Sequence, residues 1–249
     1  MKQFLLLLLL PLLAIALNSC TMDGIGDDDT YDWPKYDKLV KSTRMISWYD
    51  GGLVEYQYDN QKRLIKMIKS RYPNDSDART TTISYSKDKI TTHFQSYTDE
   101  YILDNDGYLT KVIMDEGAGR KRTILYTYAN GYLARSSCAE EGWSISYVWS
   151  NGNLIEEKYS NGRSYVYTYT NYPDDLSLSI IEPRFDIPLK FKGAHNKNLH
   201  ATMVETTINS IQETFAYSYT FDADGYPTTI KHGWGEGGYV TVTTYIAYY

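Results

Sequence analysis

The sequence predicts an all-β protein: an up-and-down antiparallel meander that forms a strongly curved sheet or a closed or partly open barrel. Three observations predict it. Tyr, which favours strands, occurs 26 times in 249 residues. Short alternations of apolar and polar residues, each of strand length, recur from about residue 41. Turn sequences that contain glycine separate these alternations at regular intervals.

The predicted strands follow a repeat. Its form is an aromatic residue, any residue, a second aromatic residue, a polar turn, and an apolar residue that begins the next strand. The best copies are residues 56–64, 101–109, 126–133, 147–154 and 219–227, and residues 84–90 are a degenerate copy. Residues two apart share a face of a strand, so the two aromatic rings of each copy point the same way. Neighbouring copies should therefore form aromatic ladders across the sheet.

The turns of the repeat are of two kinds. Asn130-Gly131 and Asn151-Gly152 suit two-residue type I′ turns, which need positive φ at both central positions. The turns that end at Gly107 and Gly225 are one residue longer and suit a type I turn closed by a left-handed glycine. A second set of turns falls between these, so turns alternate between two ends and neighbours in sequence should pair in space.

The stretch at 171–209 interrupts the repeat. It contains Pro173, Pro183 and Pro188 and a polar run. We interpret it as an irregular insertion, with one short helix, laid over an opening or an edge of the sheet. A plug that fills the core is the alternative.

The N-terminus predicts export and lipidation. Lys2 precedes an apolar run, residues 4–17, which is shorter than a membrane-spanning helix and suits a signal peptide. The run ends at Asn18-Ser19-Cys20, which resembles a bacterial lipobox, and this implies a signal peptide at 1–19 and a lipid on Cys20. We therefore expect a membrane anchor through Cys20. An ordinary secretory leader is the alternative.

Residues 20–40 have the composition of a flexible tether. Glycines and the acidic run Asp27–Asp29 disfavour a packed element. An acidic run just after the lipidated Cys resembles the surface-export signal of Bacteroidota lipoproteins. This implies an outer membrane lipoprotein that faces the cell exterior; an orientation towards the periplasm is the alternative. Residues 41–249 form the β-repeat domain.

The repeat units from Tyr56 to Ile230 resemble the YD-type repeats of RHS and teneurin shells. They resemble more closely a family of short Bacteroidota lipoproteins of unknown function with a porin-like fold. This resemblance covers most of the mature chain. It implies a curved or closed β-sheet and implies no catalytic residue.

Several predicted strands are charged on both faces, which disfavours insertion of the barrel into a membrane. Residues 63–69 carry Lys66 on one face and Arg63 and Lys69 on the other, and residues 156–158 are Glu-Glu-Lys. A lipid-facing wall needs a continuous apolar face. The aromatic ending, residues 245–249, is interpreted as a closing strand.

Composition and cysteine usage exclude other classes. The net charge of −6 disfavours nucleic acid as a partner, because phosphate binding needs a basic surface. Besides Cys20 the only cysteine is Cys138, so we expect no internal disulfide and interpret Cys138 as a small buried residue. No Cys and His spacing predicts a metal site, and no motif predicts a cofactor.

Function is predicted only as a class. We expect a non-catalytic cell-surface module that binds a glycan or a protein through exposed aromatic rings. The residues expected to contact a ligand are Trp143, Trp234 and Tyr239. A structural or accessory envelope scaffold without a small-ligand site is the alternative. An enzyme is disfavoured, because no nucleophile, base or metal spacing accompanies the four histidines.

Overall fold

The computed structural model describes residues 38–47, 51–71, 76–174, 193–234 and 239–249, and at residues 234 and 239–241 it describes the backbone alone. These residues form a closed barrel of 16 antiparallel strands. Each strand pairs with its neighbours in sequence, and β1 pairs with β16 to close the ring. The predicted all-β meander is confirmed, and the sheet closes completely.

The strands are short and evenly spaced. They are β1 Val40–Ser47, β2 Gly51–Tyr58, β3 Leu64–Ser70, β4 Arg79–Tyr85, β5 Lys89–Phe94, β6 Tyr97–Leu103, β7 Leu109–Asp115, β8 Lys121–Ala129, β9 Tyr132–Cys138, β10 Trp143–Ser150, β11 Asn153–Tyr159, β12 Ser164–Pro173, β13 Asn198–Thr206, β14 Gln212–Phe221, β15 Pro227–Trp234 and β16 Tyr239–Tyr248.

Connections alternate between two rims. Those that follow even-numbered strands, including 104–108, 130–131, 151–152 and 222–226, form what we call the upper rim. Those that follow odd-numbered strands, including 116–120, 139–142 and 160–163, form the lower rim. The predicted turn chemistry is confirmed at the upper rim, where Asn130-Gly131 and Asn151-Gly152 have positive φ at both residues and Gly107 and Gly225 are left-handed.

An aspartate holds each of the longer upper-rim turns. Asp104 Oδ1 accepts hydrogen bonds from the backbone N–H groups of Asp106 and Tyr108, at 3.0 and 2.9 Å. Asp59 and Asp222 make the same pair of bonds in their own turns. The three copies of the repeat that end in aspartate therefore finish their strands with a side chain that satisfies the turn backbone.

Inward-facing side chains divide the barrel interior into two halves. From β3 to β9 they form an apolar core, with Leu64, Ile90, Val112, Ile124 and Leu133 buried. From β11 to β15 the interior is polar and aromatic, and His200 is buried there among tyrosines. The aromatic stripes predicted on β12 and β14 lie on the more buried face of each strand.

The irregular insertion is bounded by strands on both sides. β12 continues to Pro173, and β13 begins at Asn198. The part of the predicted insertion that lies outside the strands is thus 174–197, shorter than the expected 171–209, because strand pairing continues to Pro173↔Asn198. Residues 175–192 lie outside the described residues, and the described parts of the stretch, 171–174 and 193–209, contain no helix.

Candidate functional site

Strands joined at the lower rim separate as they approach the upper rim. The ladder between β9 and β10 runs from Cys138↔Trp143 to Arg135↔Ser146 and then stops. The ladder between β11 and β12 likewise contains three pairs, from Lys158↔Ser164 to Glu156↔Val166. We call each opening between such strands a fork. A fork leaves backbone groups unpaired inside the barrel wall, and these need other partners.

An aromatic side chain bridges each of seven forks. In every case an aromatic residue near the upper end of an even-numbered strand donates a hydrogen bond to a backbone carbonyl at or near the start of the preceding strand. The bonds are Tyr58 to Val40 (2.9 Å), Tyr85 to Leu64 (2.7 Å), Tyr128 to Leu109 (2.7 Å), Trp149 to Leu133 (2.8 Å), Tyr169 to Leu154, Tyr219 to His200 (2.9 Å) and Tyr248 to Pro227 (2.6 Å).

The pair β5 and β6 shows why the aromatic residue is there. Its ladder continues to Lys89↔Ile102, and the Leu103 N–H then donates to the Asp88 carbonyl at 2.8 Å. No fork opens, and the repeat carries Leu103 where the copies 56–64, 126–133 and 147–154 carry the bridging Tyr58, Tyr128 and Trp149. The aromatic residue thus accompanies the fork.

The bridging tyrosines are protonated donors. Burial raises the pKa of Tyr58, Tyr85 and Tyr128, and it does the same for the pKa of Tyr169, Tyr219 and Tyr248. Desolvation penalises the phenolate, so each hydroxyl keeps the proton that it donates.

The fork between β9 and β10 contains a solvent-accessible cavity of about 430 Å³. The rings of Tyr132 and Trp149 line it, with centroids 5.0 Å apart and planes inclined at 42°. The remaining lining residues are Ala129, Asn130, Leu133, Ala134, Tyr147, Val148, Ser150, Asn151 and Gly152. None of them is charged. A concave, largely apolar site with a few polar groups is the usual form of a small-ligand site.

The end of the insertion connects the two hairpins that flank this cavity. Residues 193–197, which we call the strap, cross both Asn-Gly turns. The Ala194 N–H donates to the Gly131 carbonyl at 2.8 Å, and the Lys197 N–H donates to the Gly152 carbonyl at 2.9 Å. The strap therefore fixes the spacing of the two turns.

One strap side chain is buried in the wall. Asn196, 1% exposed, accepts a hydrogen bond through Oδ1 from the Leu154 N–H at 2.7 Å, and this Oδ1 lies 3.0 Å from the hydroxyl oxygen of Tyr169, which donates to the Leu154 carbonyl. Both groups lie in the fork between β11 and β12. Asn196 thus supplies an acceptor that the interrupted ladder lacks.

The polar half of the interior is centred on His200. Its ring stacks on Tyr167, with centroids 4.8 Å apart and planes at 14°, and its Nε2 lies 3.2 Å from the Tyr169 hydroxyl. Burial lowers the pKa of His200 to about 4, so the imidazole is neutral at pH 7. Glu157 Oε1 accepts a hydrogen bond from the Tyr167 hydroxyl at 3.0 Å. The polar groups of His200, Tyr167 and Glu157 are therefore in contact with neighbouring side chains of the interior.

Comparison with known proteins identifies the family. Residues 49–229 match the model of a family described as "Domain of unknown function (DUF4595) with porin-like fold". The chain belongs to this family. The match begins before β2 and ends within β15, so β1, most of β15 and β16 lie outside it. None of the curated proteins compared with the chain matches it.

Solved structures share the fold of this family member. A porin-like protein from Bacteroides uniformis superimposes with a TM-score of 0.64 at 18% identity, and the match covers 84% of this chain and 96% of that one. A porin-like protein from Bacteroides vulgatus gives a TM-score of 0.61 at 14% identity, with 86% and 99% coverage. At this identity the comparison establishes the barrel fold alone.

The residues predicted to contact a ligand lie at the lower rim. Trp143 begins β10, is half-buried against the apolar core, and donates through Nε1 to Glu141 at 2.7 Å. Trp234 and Tyr239 pair with each other across β15 and β16. Four strands, β11 to β14, separate them from Trp143 along the wall of the barrel. Cys20 lies outside the described residues.

Sequence reasoning did not identify the pair of rings that lines the cavity. Trp149 is a tryptophan candidate for ligand contact in the sequence, but packing in the sheet is the favoured interpretation, and Tyr132 is placed only within a turn unit. The available signal was two successive Asn-Gly turns, each with an adjacent aromatic residue. Their convergence depends on the fork that opens between β9 and β10, and the bridging role of Trp149 is recognisable only once the end of that ladder is known.

Two further findings concern other kinds of site. Within the described residues, no group of His, Cys, Asp and Glu is arranged to hold a metal ion. No helix in the same part of the chain is long and apolar enough to cross a membrane. Cys138 is a free thiol, 1% exposed, in keeping with the expected buried residue.

Proposed function

We propose that this protein is a lipid-anchored module of the outer membrane that faces the cell exterior and binds a glycan or a protein without catalysis. The cavity between β9 and β10 supports this proposal. It places two aromatic rings beside solvent at the upper rim. The inward-facing rings, by contrast, pack against other side chains.

The proposed module stands in water and is attached by its lipid. The outward positions of the strands carry charged residues near mid-strand, such as Lys111 and Arg135. Two ion pairs lie on the outer wall. Lys89–Glu100, at 3.0 Å, joins β5 to β6, and Lys158–Glu156, at 2.9 Å, lies within β11. Lipid-facing barrel walls instead carry a continuous apolar band, and mid-span charges there are costly.

The tether of the proposed lipoprotein joins the barrel at the upper rim. Lys38 Nζ forms ion pairs with Asp222 at 2.7 Å and Asp224 at 2.5 Å, both in the turn between β14 and β15. The Tyr249 N–H donates to the Leu39 carbonyl at 3.0 Å, so the residue after β16 also binds the chain just before β1. An anchor on Cys20 would thus attach at the rim that contains the strap and the cavity.

The anchoring part of the proposal is tested by metabolic labelling with a palmitate analogue in a Bacteroides host. We expect the intact chain to incorporate label and the Cys20→Ala variant to incorporate none. Protease added to whole cells should remove the protein from the surface. Absence of label from the intact chain would contradict lipidation, and protection in intact cells would contradict surface display.

The binding part is tested with the purified mature protein on a glycan array and by cross-linking in intact cells. We expect a reproducible glycan or protein ligand. An envelope scaffold without a small-ligand site would instead yield only stable neighbours whose cross-linking is unaffected by substitutions in the cavity. The absence of both a ligand and a cross-linked partner would overturn the proposed function.

A further inference from the structure

We propose that the fork between β9 and β10 is a binding site for a neutral saccharide, with a pyranose ring against Tyr132 and Trp149. This inference rests on the proposed function and specifies its ligand class. The cavity, about 430 Å³, has the size of a site for one small ligand. Two aromatic rings meet at its surface, and aromatic faces bind the C–H faces of sugar rings.

The lining carries hydrogen-bonding groups that suit hydroxyls. The side chains of Asn130, Asn151, Ser150 and Tyr132 are at or beside the cavity. Within the described part of the chain, none of these four side chains is engaged in a hydrogen bond. Amide groups both donate and accept, which matches the mixed hydrogen bonding of sugar hydroxyls.

The absence of charge selects a neutral ligand. All eleven lining residues are uncharged. A uronate or a phosphate would lose water on entering and find no cation among these residues to compensate. The nearby Arg135 lies in the last paired position of the ladder and does not line the cavity.

Two contacts fix the shape of the site before a ligand arrives. The Trp149 indole N–H donates to the Leu133 carbonyl at 2.8 Å, which holds the ring across the fork. The strap holds the turns on either side through Gly131 and Gly152. The bridge also disfavours a peptide as the ligand, because it uses the Leu133 carbonyl that an added strand would need. A preformed site loses less entropy on binding.

The test uses the purified mature protein and isothermal titration with four neutral oligosaccharides (cello-, malto-, manno- and xylopentaose) and one acidic one, tri-galacturonate. We expect at least one neutral oligosaccharide to bind and tri-galacturonate not to bind. Tyr132→Ala should weaken the neutral ligand about tenfold through loss of one stacking ring. The matched control is Tyr245→Ala, since Tyr245 is an exposed aromatic residue on the outer wall of β16. It should leave binding unchanged.

A second variant guards against a folding defect. Ala134 lines the cavity, and Ala134→Phe fills it while both rings remain. Circular dichroism should match the parent chain, and binding should be lost. Neutral-saccharide binding that survives both substitutions would overturn this inference and leave the proposed function standing. Binding of tri-galacturonate alone, or a protein partner without any saccharide ligand, would also overturn it.

Discussion

The hydroxyl of Tyr128 on β8 donates a 2.7 Å hydrogen bond to the backbone carbonyl of Leu109, the first residue of β7. The β7–β8 ladder ends at Lys111↔Leu125, so the Leu109 carbonyl has no partner across the fork other than this side chain. This bond gives Tyr128 a structural role, because it replaces the backbone hydrogen bond that the Leu109 carbonyl lacks where the fork opens.

Removal of the Tyr128 hydroxyl should therefore destabilise the barrel. In Tyr128→Phe the ring remains, but the Leu109 carbonyl loses its donor. An unsatisfied, mostly buried polar group costs about 1–3 kcal/mol. We expect the free energy of unfolding, measured by urea denaturation, to fall by about that amount. Tyr245→Phe on the outer wall is the control and should change it by less than about 0.5 kcal/mol. Equal effects would contradict the bridging role.

Two glycines with similar backbone angles should respond differently to alanine. Gly193 and Gly225 have φ of +86° and +89°. A Cβ on Gly193 would lie 2.5 Å from the Gly131 carbonyl oxygen, whereas a Cβ on Gly225 would have nothing within 4 Å. Gly225→Ala should cost about 1–2 kcal/mol from the left-handed backbone alone. Gly193→Ala should in addition displace the strap.

Hydrogen exchange distinguishes these two variants. We expect the amides of Ala194 and Lys197, which bond to the two Asn-Gly turns, to exchange much faster in Gly193→Ala. Gly225→Ala should leave their exchange unchanged. Equal protection of these amides in both variants would show that the strap does not depend on close approach at Gly193.

Stability should fall at mildly acidic pH because of His200. This side chain is 6% exposed, and burial lowers its pKa to about 4 in the folded protein. Its pKa in the unfolded chain is about 6.5. Below pH 6.5 the unfolded state therefore binds more protons, and the stability that His200 contributes at neutral pH is lost as the pH falls towards 4. Between pH 7 and pH 5 this loss is about 2 kcal/mol.

The contribution of His200 is measured as the difference in pH dependence between the parent chain and a variant that lacks this histidine. Urea denaturation of the parent chain and of His200→Gln at pH 7 and pH 5 should show a pH dependence that is smaller in the variant by about 2 kcal/mol. His93→Gln, a substitution of an exposed histidine on β5, serves as the control and should retain the parental pH dependence. If His200→Gln also retains it, the ring is not held neutral in the interior.

The aspartate of the longer turns can be tested at Asp104. Asp104→Ala removes an acceptor of two backbone N–H groups, and we expect a loss of about 1–2 kcal/mol in the free energy of unfolding. Asp104→Asn keeps an acceptor oxygen and should cost much less, as Asn161 accepts the Arg163 N–H in a similar turn. Asp106→Ala, at an exposed position of the same turn, is the control. A loss in Asp106→Ala equal to that in Asp104→Ala would argue against the side-chain acceptor.

Local chemistry made part of the fold predictable. The aromatic alternation identifies strands, because side chains two apart share a face. Asn130-Gly131 and Asn151-Gly152 identify type I′ turns, because positive φ is cheap only for such residues. These signals act within a few residues of one another. They predicted the meander and the division of turns between two rims, which follows from pairing neighbours.

The cavity could not be predicted in the same way. Tyr132 and Trp149 are 17 positions apart and meet only because the β9–β10 ladder stops at Arg135↔Ser146. Trp143 and Trp234, chosen for their aromatic chemistry, lie on strands that closure of the barrel keeps apart at the lower rim. Where a ladder ends depends on the stagger of all the strands around the ring, which no short segment encodes.

The sequence by itself determined the strands, the turns and the shared face of the aromatic stripes of this protein, since each arises from backbone preferences and side-chain periodicity over a few residues. The tertiary structure alone decided that the sheet closes, that Asn196 and the bridging aromatic residues satisfy the forks, and that one fork holds a cavity. The physical reason is that backbone groups left unpaired by strand stagger must find partners distant in sequence.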